Sequence, residues 1–277
     1  MDEEYFSLQK ILLAIIQANK GVPAFEDNRV IDAEGLAVKL FEHSASINYL
    51  YKDTVIPEIN LRIFDLATLN IIARAIIENF LVFYYVFVES KNKEEEDFRY
   101  MVYCLSGLVE RQNYPIESPK GKVILINEKK VIDNLVSKLE KNSYFIELKK
   151  DDKNKLLKWG EWRFKSWSNI ALSAGLNESN SKAFYKLLCG YSHSGSLSLQ
   201  QIHQRVSKED KIKLFNGTLS LLKIAIANMI ISYCNYFPKA LAFYIENIEL
   251  KELVILWVDV GKTEMKDIEM DWSKLEI

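Results

Sequence analysis

Residues 71–88 read IIARAIIENFLVFYYVFV, and the interpretation of this run decides the fold. Its second half, Phe80–Val88, is apolar on every side of a helical projection, which predicts a helix buried all round. Near its middle stand Arg74 and Glu78, four residues apart. A second apolar stretch, Leu219–Phe237, contains Lys223, Asn228 and Asn235. Both runs are long enough to be tested as membrane spans. Each ionised residue at a bilayer centre costs about 2.5–3.5 kcal/mol even on the mildest scale. Both stretches are therefore read as core helices of a bundle, and no membrane association is expected.

Composition points the same way. The chain has 277 residues, 49% of them hydrophobic and 27% charged, which suits a globular protein with a substantial core. Ten glycines and five prolines are few for this length, whereas an all-β fold spends many of both on tight turns. The expected class is all-α, a multi-helix bundle of about eight to ten helices. It is expected as a single globular domain over residues 1–260, with a hinge at 113–121 and a loosely held acidic tail over 261–277. A formal charge of −2 predicts no global attraction to a polyanion. Cys104, Cys189 and Cys234 are isolated and odd in number, so they are read as small buried hydrophobes in a reducing compartment. The acidic start, MDEEYFSLQK, is unlike a signal peptide, and a cytoplasmic location is expected.

Periodicity and punctuation predict the helices outward from this run. The third helix is expected at about 58–88. Before it, Leu8, Ile11, Leu12, Ile15 and Ile16 share one face of a helix over Glu3–Ala18. Asp32 is placed to cap a second helix at about 33–51. After it, a fourth helix passes through Met101, Leu105 and Leu108. Helices follow at about 128–141, 153–164, 168–174 and 181–191. The segment SHSGSLSLQQIHQ (residues 192–204) is expected to be irregular. Ser207 and Asp210 start a long helix to about Tyr236, and Pro238 opens a last one ending near Val258.

Several constellations bear on chemistry. Asn70, Arg74 and Glu78 recur every four residues and form a polar stripe among Ile71, Ile72, Ile76, Ile77, Phe80 and Leu81. Charges in such surroundings cost several kcal/mol each, on the order of their desolvation, unless paired and hydrogen-bonded. The stripe is either a buried tie between helices or one wall of a functional pocket. FYKLLCGYSHSGS (184–196) gathers Tyr185, Tyr191, Ser192, His193, Ser194 and Ser196 where a helix breaks near Gly190. His193 is the candidate general acid or base there. His43 and His203 are read as surface or partly packed residues. The three histidines lack metal-ligand spacing, and no phosphate-cradling or dinucleotide motif is present, so neither a metal nor a cofactor is expected. From Lys120 to Lys165, thirteen Lys or Arg stand against seven Asp or Glu. That stretch runs into KWGEWRFKSW (158–167), whose Trp159, Trp162 and Trp167 can stack on single-stranded nucleic acid or dock a short helix on the core.

The order of ARAIIENFLVFYYVF (73–87), KSWSNIALSAGL (165–176) and FYKLLCGYSHSGS (184–196) resembles a large, uncharacterised family of bacterial all-helical domains, over roughly residues 30–235. The resemblance implies that Arg74, Glu78, Tyr185 and His193 converge in one pocket. A more distant likeness is to HEPN-type helical domains, many of which are metal-independent ribonucleases of bacterial toxin and anti-phage systems. Their usual signature is an arginine four to six residues before a histidine on one helix. No arginine stands there in this chain; Lys186, with six residues between it and His193, is the nearest basic substitute, and Arg74 would supply the guanidinium from another helix. The resulting expectation is a catalytic set of Arg74, Glu78, His193, Tyr185 and Ser192. RNA would be held through Lys120–Lys165, and a protein partner or a homo-oligomer is a separate expectation. The alternative expectation is a non-catalytic interaction or sensor module, in which the same residues are a structural polar cluster.

Overall fold

A computed structural model describes residues 2–20, 28–203 and 207–263. The chain is all-α: thirteen α-helices and one small two-stranded sheet occur among the described residues. Its residues group into two compact units, one formed by residues 1–83 with 167–277 and the other by 84–166.

In the first unit, α1 (Glu3–Ala18) and α2 (Asn28–Leu50) lead to a hairpin of β1 (Thr54–Ile56) and β2 (Leu61–Ile63), then to α3 (Leu66–Phe83). The expected third helix at 58–88 starts later than its composition suggested. Val55 pairs with Arg62 in an antiparallel register, and Asn60 turns the chain in the left-handed region at φ 49°. Asp65 then caps α3, accepting from Thr68 N (3.0 Å) and from its hydroxyl (2.6 Å). Capping residues are favoured where the first backbone N–H groups of a helix lack partners.

The C-terminal part of this unit contains α8 (Trp167–Ser173), α9 (Glu178–Ser192), α10 (Ser196–His203), α11 (Lys208–Tyr236), α12 (Pro238–Glu246) and α13 (Lys251–Lys262). Helix α11 packs against α1, α3, α12 and α13, and α3 packs against α2, α9 and α11. Every residue from Leu222 to Ile230 is buried, which explains why α11 is apolar all round. By length and composition alone, Leu66–Val88 and Lys208–Tyr236 are apolar enough to cross a membrane. Tyr5, Leu12, Leu40, Ile76, Phe80, Phe215 and Tyr233 are fully buried side chains of this unit's core.

The second unit begins with a π turn over Tyr84–Val88, where Glu89 N donates to Tyr84 O at 2.9 Å. It continues through α4 (Lys93–Gln112), α5 (Pro119–Leu139), α6 (Ser143–Glu147) and α7 (Lys150–Trp159). Phe98, Val102, Leu105, Val109, Leu139, Phe145 and Leu156 form its core. Arg99 is 4% exposed and bonds to Glu89, Glu95 and the Tyr85 carbonyl, while its guanidinium lies 4.4 Å from the Tyr85 ring centroid. Helix α7 stops at Gly160, at φ +70°, where an added Cβ would stand 2.7 Å from the Ser106 carbonyl oxygen. Only glycine fits both constraints.

The helix bounds and count depart from expectation for local reasons, with α6, α10 and α13 as the additions to the expected eight to ten. Ser118 and Pro119 start α5 well before residue 128, with Ser118 Oγ accepting from Gly121 N at 3.1 Å. Residues 196–203, expected to be irregular, form α10, whose first turn is closed by Leu199 N donating to Gly195 O at 3.3 Å. The last helix is divided at Asn247, whose side chain donates to Phe243 O at 2.7 Å and closes α12. Asp32 lies inside α2 instead of capping it. Gly261 belongs to α13, and the remainder of the expected tail, 264–277, lies outside the described residues.

Candidate functional site

The site is built where α9 crosses α3, both within the first unit. Asn177 caps α9 by accepting from Asn180 N at 3.1 Å, and the helix ends at His193. His193 N donates to Cys189 O at 3.0 Å, then Ser194 takes a left-handed φ of 52° and Gly195 N returns to Gly190 O at 2.8 Å. This ending sets His193 at the last turn of α9, two turns beyond Tyr185 on a nearby side of the helix.

Arg74 reaches from α3 into this end of α9. Its Nε donates to Glu78 Oε1 at 2.9 Å, its Nη1 lies 3.1 Å from His193 Nε2, and its Nη2 donates to the Tyr185 hydroxyl at 3.3 Å. Tyr185 Oη in turn donates to Glu78 Oε1 at 2.9 Å. The Arg74, Glu78 and Tyr185 side chains thus close a ring of hydrogen bonds, and the guanidinium projects on to His193. Arg74 and Glu78 side chains are 19% and 27% exposed, and His193 is exposed, so the cluster opens to solvent at its histidine edge.

The chemistry of the donors assigns protons. A guanidinium donates and does not accept, so His193 Nε2 is the acceptor and the imidazole is neutral with its proton on Nδ1. Burial, followed by the hydrogen bond and charge of Glu78, pushes the Tyr185 hydroxyl above the ordinary phenol range and keeps it protonated. Burial opposes the charge on Arg74, but the hydrogen bond and charge of Glu78 outweigh it and hold the guanidinium above its ordinary value. The result is a fixed cation whose Nη1 holds the lone pair of an exposed imidazole. If the guanidinium turns to an anionic oxygen, it releases His193 Nε2, which can then accept a proton from a neighbouring hydroxyl.

Four of the expected site residues, Arg74, Glu78, Tyr185 and His193, are brought together. Ser192 is not among them: its hydroxyl turns back along α9 to Leu188 O at 3.2 Å. Asn70 also leaves the stripe, bonding Leu66 O at 3.0 Å and accepting from Thr218 Oγ1 at 2.8 Å. At about 100° per residue, Glu78 lies about 80° round the helix from Asn70, so one faces α9 and the other α11. His43 is half-buried, and burial followed by Lys39 lowers its pKa. Helix α10 runs through His203, whose side chain lies outside the described residues.

The three tryptophans have different fates. Trp162 packs on Tyr85 and Tyr103 in the second unit, with centroids at 5.8 and 5.1 Å, and Trp159 is exposed. Trp167, in the first unit, lines a cavity next to Arg74 and Tyr185. That cavity was not legible in the sequence, because its walls come from helices far apart in the chain. Cys189 lies one turn from Tyr185 on α9, and its side chain adds to the upward shift of the Tyr185 hydroxyl. Among the described residues, no three His, Cys, Asp or Glu side chains gather in a way that could hold a metal ion.

A family model described as a family of unknown function (DUF5677) matches residues 33–212, more than half of the chain and all of the Arg74–His193 cluster. The chain belongs to this family. The match spans α3 and α9 together with the intervening second unit, so the site residues lie inside the family's own region. No curated protein and no solved structure matches the chain at a significant level.

Proposed function

We propose that this protein is a metal-independent ribonuclease of a bacterial toxin or anti-phage defence type, with its site at the junction of α3 and α9. One observation supports the reading above others: Arg74 Nη1 stands 3.1 Å from His193 Nε2 although the two residues lie on different helices. An arginine and a histidine side by side are the elements of the HEPN-type signature, assembled here in space and not along one helix. When Arg74 turns to the phosphate it frees His193 Nε2, which takes the proton of an RNA 2′-hydroxyl, whose oxygen attacks the adjacent phosphorus. The P–O5′ bond breaks, leaving a 2′,3′-cyclic phosphate, and the departing 5′-oxygen receives a proton returned by the imidazolium through solvent water. Arg74 stabilises the charge that develops on the phosphoryl oxygens. Glu78 and Tyr185 position Arg74. The basic residues between Lys120 and Lys165 bind backbone phosphates, and the setting is the cytoplasm.

Purified protein incubated with total RNA tests this, with and without a chelator, beside His193→Ala and Arg74→Ala. Cleavage by the wild type in chelator, with 2′,3′-cyclic phosphate ends and loss of at least about 100-fold in either variant, is expected for removal of a proton-transfer group or an oxyanion donor. Intact RNA with the folded wild type overturns the proposal. A second reading, a helical interaction module held with a protein partner or a second copy of the chain, is favoured by a different observation. All three Arg74 nitrogens already have protein partners, as they would in a structural polar cluster.

A further inference from the structure

The cavity beside the polar cluster has features that the proposed cleavage does not use. It measures about 60 Å³, several times the roughly 10–15 Å³ needed for one water. Ile77, Phe80 and Leu81 of α3, Leu188 of α9 and Ile224 of α11 give it aliphatic and aromatic walls. Ser168, Asn177, Asn180 and Ser181 also line it, the last three with side chains already bonded at the start of α9 or to the Thr263 carbonyl. Arg74 and Tyr185 line the same space, whereas Glu78 does not.

The guanidinium has about five N–H donors in a planar fork. Glu78, His193 and Tyr185 each take one, which leaves one on Nη1 and one on Nη2. Tyr185 directs its own proton to Glu78, so at the cavity it presents no O–H. A single cation with two residual donors, set in an apolar chamber, matches a planar two-oxygen anion with an aliphatic tail. A phosphate dianion lacks a second cation among these lining residues.

We propose that this cavity binds a short-chain aliphatic monocarboxylate of about three to six carbons, a length set by the chamber's volume. The carboxylate meets Arg74, and the chain lies against Ile77, Phe80 and Leu188. The inference does not depend on RNA cleavage, because its readout is binding.

Titration calorimetry of the full chain with acetate, butyrate, hexanoate and octanoate, and with methyl hexanoate, provides the test. Binding that peaks at butyrate or hexanoate, falls for acetate and octanoate and is lost for the methyl ester is expected. Arg74→Gln weakens it at least about tenfold, as expected for losing a charge-assisted pair. Ala225→Leu, which places a larger side chain on the α11 wall, weakens it with unchanged circular dichroism. Ser192→Ala, a variant outside the cavity, leaves it unaltered. No saturable binding of any chain length to the folded wild type overturns the inference, and so does equal binding of the methyl ester. Either result leaves the ribonuclease reading to its own assay.

Discussion

Arg74 Nη1 and His193 Nε2 lie 3.1 Å apart, and since only the guanidinium can donate, this contact selects one tautomer of the imidazole. Histidine in water favours the proton on Nε2, so the site holds His193 in the less common form. Long-range ¹⁵N–¹H correlation spectra should show the Nδ1–H tautomer in the wild type. Arg74→Met should return His193 to the Nε2–H form. An Nε2–H tautomer in the wild type would mean that the arginine does not make this contact in solution.

The Asn70–Thr218 hydrogen bond joins α3 to α11 in the core and offers a test of stability separate from the site. Thr218→Val keeps the shape but leaves the buried Asn70 Oδ1 without its donor. An unsatisfied buried acceptor costs about 1–3 kcal/mol. Urea unfolding should show a loss in that range, with the His193 tautomer unchanged. Thr218→Ser, which retains the hydroxyl, should be milder. Equal stability of the wild type and Thr218→Val would show that this bond contributes nothing net.

How much of this was legible follows from the range of the signals. Arg74 and Glu78 stand out because four-residue spacing places them together on a helix and their neighbours are apolar. The same spacing joins Glu95 to Arg99, yet that pair was hidden inside the charge run SKNKEEEDFR, which reads as a solvated helix start. Burial there depends on Tyr85, on the π turn, and Glu89, just after it, whose placement no local pattern announces. The early end of the third helix's expected span had a local signal in VIPEINLRI, where Pro57 and Asn60 punctuate β-branched residues. The strong apolar run after it masked that signal. Cavity walls from α3, α9 and α11 have no sequence signature at all, because volume is a property of packing.

Arg99 should be the most sensitive residue of the second unit. Its side chain is 5% exposed and lies between Glu89 and Glu95, each 9% exposed. Arg99→Ala leaves two buried carboxylates facing one another without a cation, apart from Lys165 at the edge of Glu89. Breaking a buried ion pair from one side costs about 3–5 kcal/mol. Hydrogen exchange should therefore show loss of protection in α4 first. Adding Glu89→Gln and Glu95→Gln to Arg99→Met should recover part of the loss, because no uncompensated charge remains. If the triple variant is as unstable as Arg99→Ala, the cost lies in packing against Tyr85 and not in charge.

Alkaline pH should weaken the first unit in a defined direction. Burial raises the Tyr191 hydroxyl to about 12, and burial together with Glu78 raises Tyr185 as well. An unfolded tyrosine titrates near 10, roughly. Below that pH both states are protonated and the folded state keeps its full stability. As pH rises past it, the unfolded chain releases protons that the folded chain still holds, and stability falls until the folded hydroxyls also ionise. Urea midpoints measured from pH 8 to 11 should therefore decline above about pH 10. Tyrosinate absorbance of the folded protein should lag behind that of the unfolded chain over the same range. Tyr191→Phe should flatten the decline, and Tyr185→Phe should flatten it further while lowering stability at pH 8 by about 1 kcal/mol through its lost hydrogen bonds. A pH-independent midpoint up to pH 11 would show that these hydroxyls titrate alike in both states, and hence that neither is held protonated by its surroundings.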